Sequence, residues 1–178
     1  MDKRTLRRLV KERKSQYDVT DLIIQSLDIT QRLEKHLLYS KANTVLLYNS
    51  MPDEVNTHGL IASLNKQGRC VLLPRMKNET ELELVTYKGK MSLKLSEKYG
   101  ILEPVGEPYT DYASIDLAII PGLAFSENGE RLGRGKGYYD RLLSQMPSVY
   151  KLGLCFPFQI FKSIPSGKKD VLLNEVFS

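Results

Sequence analysis

The N-terminal part of the chain mixes charged and apolar positions at the spacing of α-helices. In the stretch 2–16, the residues Leu6, Leu9 and Val10 form an apolar stripe among charged side chains. In the stretch 20–39, the corresponding stripe comprises Ile23, Leu27, Leu33, Leu37 and Leu38. We therefore predict that two amphipathic helices open the chain.

Short apolar runs, separated by a third helical pattern, come next. The runs at 44–49 and 70–74 flank a helix that Asn56 or Thr57 could cap and that would end near Gly68. A strand, a helix and a strand in this order favour a parallel pair of strands joined by a right-handed crossover. This unit predicts the beginning of a parallel sheet.

The second half of the chain continues the alternation. Residues 81–87 alternate glutamate with leucine or valine, as a half-exposed strand does, and the polar stretch after them has no clear period. The runs 115–121 and 151–157 are typical of strands buried on both faces, with a helix expected between them at 137–146. We predict a single α/β domain, 1–178, with a mostly parallel sheet in a three-layer core.

Composition limits the classes of function. The chain has 178 residues, of which 42% are hydrophobic, as expected for a globular domain with a core. Its 26 basic and 21 acidic residues give a net charge of +5, which suits nucleotides, acidic metabolites or nucleic acid. No apolar run follows the basic N-terminus, so we expect a cytoplasmic protein without a membrane partner. Cys70 and Cys155 lie in apolar runs, which predicts core residues without chemistry.

The glycine-rich stretch RLGRGKGYYDR, 131–141, carries the strongest chemical signal. It follows the predicted strand 115–121 and enters a predicted helix, at the edge where open α/β sheets bind ligands. Glycine at every second position permits positive φ, so that successive amides can turn toward one anion, with cationic side chains around it. The residues concerned are Arg131, Gly133, Arg134, Gly135, Lys136 and Gly137. A polyphosphate is the predicted occupant.

The spacing of this stretch differs from that of the two commonest phosphate loops. It fits neither G-x-x-x-x-G-K-[ST] nor G-x-G-x-x-G, so a flexible solvated turn and a nucleic-acid contact remain alternatives. Asp140 adds a carboxylate beside the predicted phosphate site, where Mg²⁺ usually lies between the two anions. The alternative for Asp140 is a salt bridge to Arg134 or Arg141.

The residues 121–143 resemble the signature of the 5-formyltetrahydrofolate cyclo-ligase family, also called 5,10-methenyltetrahydrofolate synthetases. Four more segments resemble the family in order and spacing, namely KRTLR (3–7), NSMPDEVNT (49–57), LLPRM (72–76) and GILEP (100–104). The resemblance covers nearly the whole chain, although 76–98 matches poorly. It implies a Rossmann-like fold similar to those of NagB, RpiA and CoA transferases.

The resemblance also implies roles for individual residues. ATP would be bound by Lys3, Arg4, Thr5, Leu6, Arg7, Arg131, Leu132, Gly133, Arg134, Gly135, Lys136, Gly137, Tyr138 and Tyr139. The folate would be bound by Asn49, Glu54, Arg134, Gly135, Lys136, Gly137 and Tyr138. The implied catalytic residues are Arg134, Lys136 and Tyr138. Asp140 and Asp170 would bind Mg²⁺, although Lys169 stands where family members often carry histidine.

The reaction implied by the resemblance is the cyclisation of 5-formyltetrahydrofolate to 5,10-methenyltetrahydrofolate, with ATP and Mg²⁺. ATP would phosphorylate the formyl oxygen, N10 would attack, and ADP and phosphate would be released. The expected protein is a monomeric C–N ligase of one-carbon metabolism that acts on small molecules and not on nucleic acid. Two alternatives stay open, a basic nucleic-acid-binding protein and another phosphate-binding enzyme of similar fold. His36 and His58, both expected in helices, form no metal cluster in the sequence.

Overall fold

The computed structural model describes residues 1–96 and 100–178, and residues 97–99, within the stretch that has no clear period in the sequence, lie outside the described residues. The helices are α1 (Lys3–Lys14), α2 (Val19–Glu34), α3 (Leu37–Lys41), α4 (His58–Lys66) and α5 (Tyr138–Leu143). The strands are β1 (Thr44–Leu46), β2 (Cys70–Met76), β3 (Leu82–Thr86), β4 (Leu93–Leu95), β5 (Leu102–Pro104), β6 (Pro108–Tyr109), β7 (Leu117–Ile120), β8 (Ala124–Ser126), β9 (Arg131–Leu132), β10 (Tyr150–Leu154), β11 (Ile160–Phe161) and β12 (Glu175–Phe177). Within the described ranges, no helix is both long and apolar enough to cross a membrane.

The central sheet has the strand order β12-β10-β7-β1-β2-β3-β6. Each pair from β12 to β2 is parallel, whereas β3 is antiparallel to β2 and to β6. In the middle of the sheet, Val45 pairs with Val71 on one side and with Leu117 on the other. The predicted mostly parallel sheet is therefore confirmed, and the four apolar runs predicted as strands form β1, β2, β7 and β10.

The sheet is covered on both faces, because successive strand side chains point in opposite directions. In β1, Val45 lies in the hydrophobic cluster that includes Leu33 of α2 and Leu64 of α4. Its neighbour Leu46 lies in the cluster on the other face, with Leu142 of α5. The three-layer arrangement predicted from the sequence is thus confirmed.

The apolar stripe predicted for the second helix is wrong at most positions. The structure buries Leu22, Ile29 and Leu33, whereas Ile23 and Leu27 are 54% and 56% exposed. Leu37 and Leu38 belong to the separate helix α3 and are also exposed. Two adjacent stripes of α2 are apolar, and contact with the sheet decides which of them becomes core, so hydrophobic spacing alone could not choose.

Three smaller placements refine the prediction. His36 precedes α3 as its N-cap residue and is not inside a helix, and its Nε2 lies 3.2 Å from a carboxylate oxygen of Glu175 in β12. Cys155 is buried, as predicted, but Cys70 is only half-buried. Of the two capping candidates, Asn56 provides the side-chain acceptor for α4, through the N–H of His58 at 3.0 Å.

Helix α1 packs against a small second sheet of order β11-β8-β9. Leu6 and Val10 are buried there against Ala124 of β8 and Leu132 of β9. Because side chains four positions apart share one helix face, this packing directs Lys3 and Arg7 together toward the chain that follows β9. That chain is the glycine-rich stretch.

Candidate active site

A cavity of about 430 Å³ opens at the carboxyl ends of β1, β2 and β7. Six of the seven residues predicted to bind the folate line it, namely Asn49, Glu54, Arg134, Lys136, Gly137 and Tyr138. Gly135 is the exception, although its neighbours on both sides lie in the wall. The fold thus brings the segment after β1 and the segment after β9 to one place, as expected for the carboxyl edge of a parallel sheet.

The glycine-rich loop adopts the backbone conformation that its sequence permits. Gly135 and Gly137 have φ of +105° and +67°, a region open to glycine at little cost. In the described part of the chain, the N–H groups of Gly133, Gly135, Lys136 and Gly137 donate no hydrogen bond. A group of unpaired backbone N–H donors in a glycine-rich turn is an arrangement that binds anions.

Helix α1 provides two cations beside this loop. The Nε of Arg7 donates to the carbonyl oxygen of Gly133 at 3.1 Å, and Lys3 forms a 2.6 Å ion pair with Asp170. Of the other residues predicted in this segment, Arg4 and Thr5 are exposed. The side chain of Leu6 is fully buried in the core, so it cannot touch a ligand.

Asp140 pairs with Arg131, a partner that the sequence analysis did not consider. The Nη2 of Arg131 lies 3.0 Å from Oδ1 of Asp140, and the Arg131 side chain is only 3% exposed. The same oxygen accepts the N–H of Val171 at 3.3 Å. The alternative salt bridge to Arg134 or Arg141 is not formed in the described residues, because Arg134 points across the cavity and Arg141 toward the turn between β2 and β3.

The second predicted metal ligand lies beside the same guanidinium. Burial opposes ionisation of Asp170, but the hydrogen bonds from Lys3 and from the N–H of Gly167, with the charge of Arg131, lower its pKa. Asp140 and Asp170 each keep one carboxylate oxygen without a hydrogen bond in the described residues. These two oxygens fit the ligand type that Mg²⁺ takes, which is hard oxygen.

Arg134 faces two carboxylates on the opposite side of the cavity. Its Nη2 lies 2.7 Å from Oδ1 of Asp53 and 3.3 Å from Oε1 of Glu54. Burial lowers the pKa of Arg134, but the hydrogen bond and charge of Asp53 outweigh burial and raise the pKa. The sequence analysis assigned no role to Asp53. The two adjacent acids before α4, Asp53 and Glu54, were the signal that could have indicated it.

Glu54 is the more enclosed of the two carboxylates. Its side chain is 12% exposed, and this burial raises its pKa although the N–H of Met51 and Arg134 oppose the change. Burial and the charge of Glu54 also raise the pKa of Tyr139. An acceptor with little access to water is suited to hydrogen-bond donors of a bound ring, because such bonds are stronger in a low-dielectric site.

Asn49 is engaged by a neighbouring hairpin. Its Nδ2 donates to the carbonyl oxygen of Leu102 in β5 at 3.1 Å, and Asn49 lines the cavity. The wall beyond it consists largely of residues to which the sequence assigned no role: Met76, Leu82, Ile101, Leu102 and Glu103. The motif segments 100–104 and 72–76 could have indicated the last three and Met76, whereas Leu82 carries no signal of its own.

The two tyrosines at the end of the loop have different surroundings. The hydroxyl of Tyr138 donates to the carbonyl oxygen of Glu79 at 3.0 Å, in the turn between β2 and β3. The ring of Tyr139 lies 5.6 Å from the guanidinium of Arg131, on the inner side of the loop. Both tyrosines line the cavity, so the prediction that they surround the ligand agrees with their position.

An α/β sheet with a loop of unpaired N–H groups and an enclosed carboxylate around a cavity at its carboxyl edge is typical of enzymes that bind small molecules. Comparison with known proteins is more specific. The 5-formyltetrahydrofolate cyclo-ligase family model matches residues 1–178, and the chain belongs to this family. The predicted family is therefore confirmed.

Individual relatives agree along the chain. The chain is 33% identical over 186 residues to the 5-formyltetrahydrofolate cyclo-ligase of Mus musculus, covering 98% of this chain and 92% of the relative. The solved 5,10-methenyltetrahydrofolate synthetase of Aquifex aeolicus superposes with a TM-score of 0.86 at 29% identity, covering 99% of this chain and 89% of that one. The solved synthetase of Mycoplasma pneumoniae has the same fold, with a TM-score of 0.78, 24% identity and coverage of 99% and 98%.

These findings make the chain an enzyme of the C–N ligase class that acts on small molecules. The family and the names of the relatives support 5-formyltetrahydrofolate cyclo-ligase activity. Of the three functions that the sequence left open, these findings support the cyclo-ligase and not the nucleic-acid-binding protein or another phosphate-binding enzyme. The fold class predicted from the sequence is also confirmed.

Proposed function

We propose that the protein uses ATP and Mg²⁺ to cyclise 5-formyltetrahydrofolate to 5,10-methenyltetrahydrofolate, releasing ADP and phosphate. The observation that carries this proposal is that Glu54, Arg134 and the glycine-rich loop line the same cavity. One end of the cavity offers an enclosed acceptor, and the other offers unpaired N–H groups and cations. A reaction between a folate and a nucleotide needs both ends within one site.

The loop end suits the phosphates of ATP. The unpaired N–H groups of Gly135, Lys136 and Gly137 supply fixed donors, Arg7 of α1 lies beside Gly133 and Gly135, and Lys3 on the same helix pairs with Asp170. The Lys136 side chain is exposed and forms no ion pair in the described part of the chain, so its charge is available to a phosphate. Phosphoryl transfer depends mainly on positioning and on such cations, with little covalent work by the protein.

The other end suits the pterin ring. Glu54 would accept hydrogen bonds from the donor edge of the ring, and Asn49 would offer its Oδ1. Met76, Leu82 and Ile101 provide an apolar wall against which a flat ring can pack. The formyl group would then point toward Arg134, which links this end of the cavity to the loop.

The chemistry proceeds in two bond-forming steps. The formyl oxygen attacks the γ-phosphorus of ATP, the bond between that phosphorus and the bridging oxygen breaks, and ADP leaves. N10 then adds to the formyl carbon and gives up its proton to the phosphate group. The bond between that carbon and the former formyl oxygen breaks, and inorganic phosphate departs with the oxygen and the proton, leaving the methenyl cation. Arg134 and Lys136 would stabilise the negative charge on the transferred phosphoryl group. Tyr138, held against Glu79, would fix the loop end near the reacting atoms.

Asp140 and Asp170 would hold Mg²⁺ through their unpaired carboxylate oxygens. When bound, the ion would neutralise charge on the phosphates. Arg131 would orient Asp140, with which it pairs, and its charge adds to the hydrogen bonds from Lys3 and Gly167 that lower the pKa of Asp170. The same proposal has a cytoplasmic monomer that acts on small molecules and not on nucleic acid.

The test is the near-ultraviolet absorbance of the conjugated methenyl product. Purified protein is mixed with 5-formyltetrahydrofolate and Mg²⁺, with and without ATP, and in parallel with ATP and a chelator. We expect absorbance to rise only when ATP and Mg²⁺ are both present. No rise despite binding of ATP would overturn the folate assignment, and no binding of ATP would overturn the nucleotide assignment and return attention to nucleic acid.

A further inference from the structure

Arg141 ends the glycine-rich stretch but received no role from the sequence or from the proposed reaction. It lies in α5, one turn beyond Gly137, and its guanidinium donates two hydrogen bonds to backbone carbonyls. Nη2 lies 2.7 Å from the carbonyl oxygen of Lys136, and Nε lies 2.6 Å from that of Thr80. Arg141 therefore joins the loop to the turn between β2 and β3.

The hydrogen bond to Lys136 also orients the N–H group that follows. In a trans peptide unit, the C=O and the next N–H point in opposite directions, and no cis peptide occurs in the described chain. Gly137 lines the cavity, whereas Arg141 lies outside its lining. A Lys136 carbonyl held by Arg141 thus directs the Gly137 N–H toward the cavity.

This restraint acts where the backbone is otherwise least restrained. Gly135 and Gly137 can adopt many φ and ψ values, so an isolated loop of this sequence would seldom aim its N–H groups at one point. A methyl group at position 137 would lie 3.0 Å from Nη1 of Arg141, which shows how closely the guanidinium follows the backbone. Arg141 is a charged donor, and such donors form the stronger hydrogen bonds to carbonyls.

The second hydrogen bond of Arg141 places one wall of the cavity. The turn at Thr80 lies between Met76 and Leu82, both of which line the cavity. The ring of Tyr138 lies 5.6 Å from the Arg141 guanidinium, and its hydroxyl donates to the carbonyl of Glu79 in the same turn. Two side chains of the loop therefore hold this turn in register with the glycines.

We infer that Arg141 is a positioning residue for ATP: it orients the Gly137 N–H toward a bound phosphate and fixes the turn at Thr80 against the loop. The inference rests on the proposed function, because it takes the loop to be the phosphate site. Arg141 itself lies outside the cavity lining. Its removal loosens the phosphate donors but leaves Glu54 and Asn49 in place, so the two substrates are affected unequally.

The experiment compares steady-state kinetics of the wild-type protein with those of R141A and R141K, below the unfolding transition of each. We expect R141A to raise the KM for ATP about tenfold while the KM for 5-formyltetrahydrofolate changes by less than about twofold. R141K should be intermediate, because an ammonium group can reach one carbonyl but lacks the planar fork that reaches two.

The matched control is R69A. Arg69 also donates to backbone carbonyls, those of Tyr39, Ser40 and Ala42, but it lies at the amino end of β2, away from the cavity. We expect R69A to lower thermal stability and to leave the KM for ATP unchanged. If R69A raised the KM for ATP as much as R141A does, the effect of R141A would be due to general destabilisation, and the inference would be refuted.

Other outcomes overturn the inference directly. A folded R141A variant with the wild-type KM for ATP refutes the inference. If R141A does not fold, a wild-type KM for ATP in R141K refutes the inference. A wild-type protein that shows no ATP-dependent turnover refutes the proposed function instead, and with it the role of Arg141. The two failures are therefore distinguishable.

Discussion

Replacement of Arg134 by alanine removes a guanidinium that contacts Asp53 and Glu54 at the mouth of the cavity. The Arg134 side chain is 46% exposed, and ion pairs of that exposure contribute about 0–1 kcal/mol to stability. In a protein of this length, 1 kcal/mol corresponds to about 2–4 °C in the melting temperature. We therefore expect R134A to fold normally.

The effect on catalysis should be much larger. A single donor to the charge that develops in a transition state typically contributes a factor of about 10² to 10³ in kcat, and even partial replacement by water leaves a loss of at least about tenfold. The assay is methenyl formation at saturating ATP and folate, with urea unfolding of the same samples. The discriminating result is a loss of turnover without a matching loss of stability.

Arg8 offers the control for R134A. It also pairs with a carboxylate, that of Glu12 at 3.7 Å, but it is 76% exposed and does not line the cavity. R8A removes the same charge and should keep turnover within about twofold of the wild type. Folded R134A with near-normal turnover, or an equal loss in R8A, would refute the role of Arg134 at the phosphate.

Two further predictions concern pH and backbone geometry. Burial raises the pKa of Glu54 above the ordinary value for glutamate, about 4.3. As the pH falls, Glu54 is therefore protonated earlier than an ordinary glutamate, and it then no longer offers the ionised carboxylate proposed to accept the pterin. We expect kcat/KM to fall as the pH decreases through this raised pKa. If the E54Q variant showed the same fall in kcat/KM at low pH, the fall would not be due to Glu54. For Gly129, where φ is +83° and a Cβ would lie 2.2 Å from the carbonyl oxygen of Leu173, alanine should cost at least about 2 kcal/mol of unfolding free energy. G68A, at φ +75° with no atom within 4 Å, should cost about 1 kcal/mol, and equal losses in urea unfolding would show that contact with Leu173 does not matter.

Much of the core followed from local patterns. The apolar runs that form β1, β2, β7 and β10 are short and continuous, because strands covered on both faces carry no polar side. The glycines at 135 and 137 also act locally, since positive φ is a property of the single residue. Such features can be predicted from neighbours in the sequence. The family could be predicted as well, because its motifs occur in the expected order and spacing.

The partners of charged side chains could not be predicted in this way. Asp140 pairs with Arg131, nine positions away, and not with Arg141 beside it, because α5 turns the carboxylate inward beneath the loop. Arg134 meets Asp53 across 81 positions of sequence. These contacts depend on how the segments after β1 and β9 approach each other, which is a property of the whole sheet.

The sequence by itself determined the class of the sheet, the glycines that take positive φ in the loop and the family, because each depends on residue types in fixed local order. The tertiary structure decided which stripe of α2 is buried, which carboxylates surround Arg134 and Arg131, and that the turn near Thr80 forms a wall of the site. These features arise where distant segments pack together. Burial and pairing there depend on distances in space, which spacing along the chain does not specify.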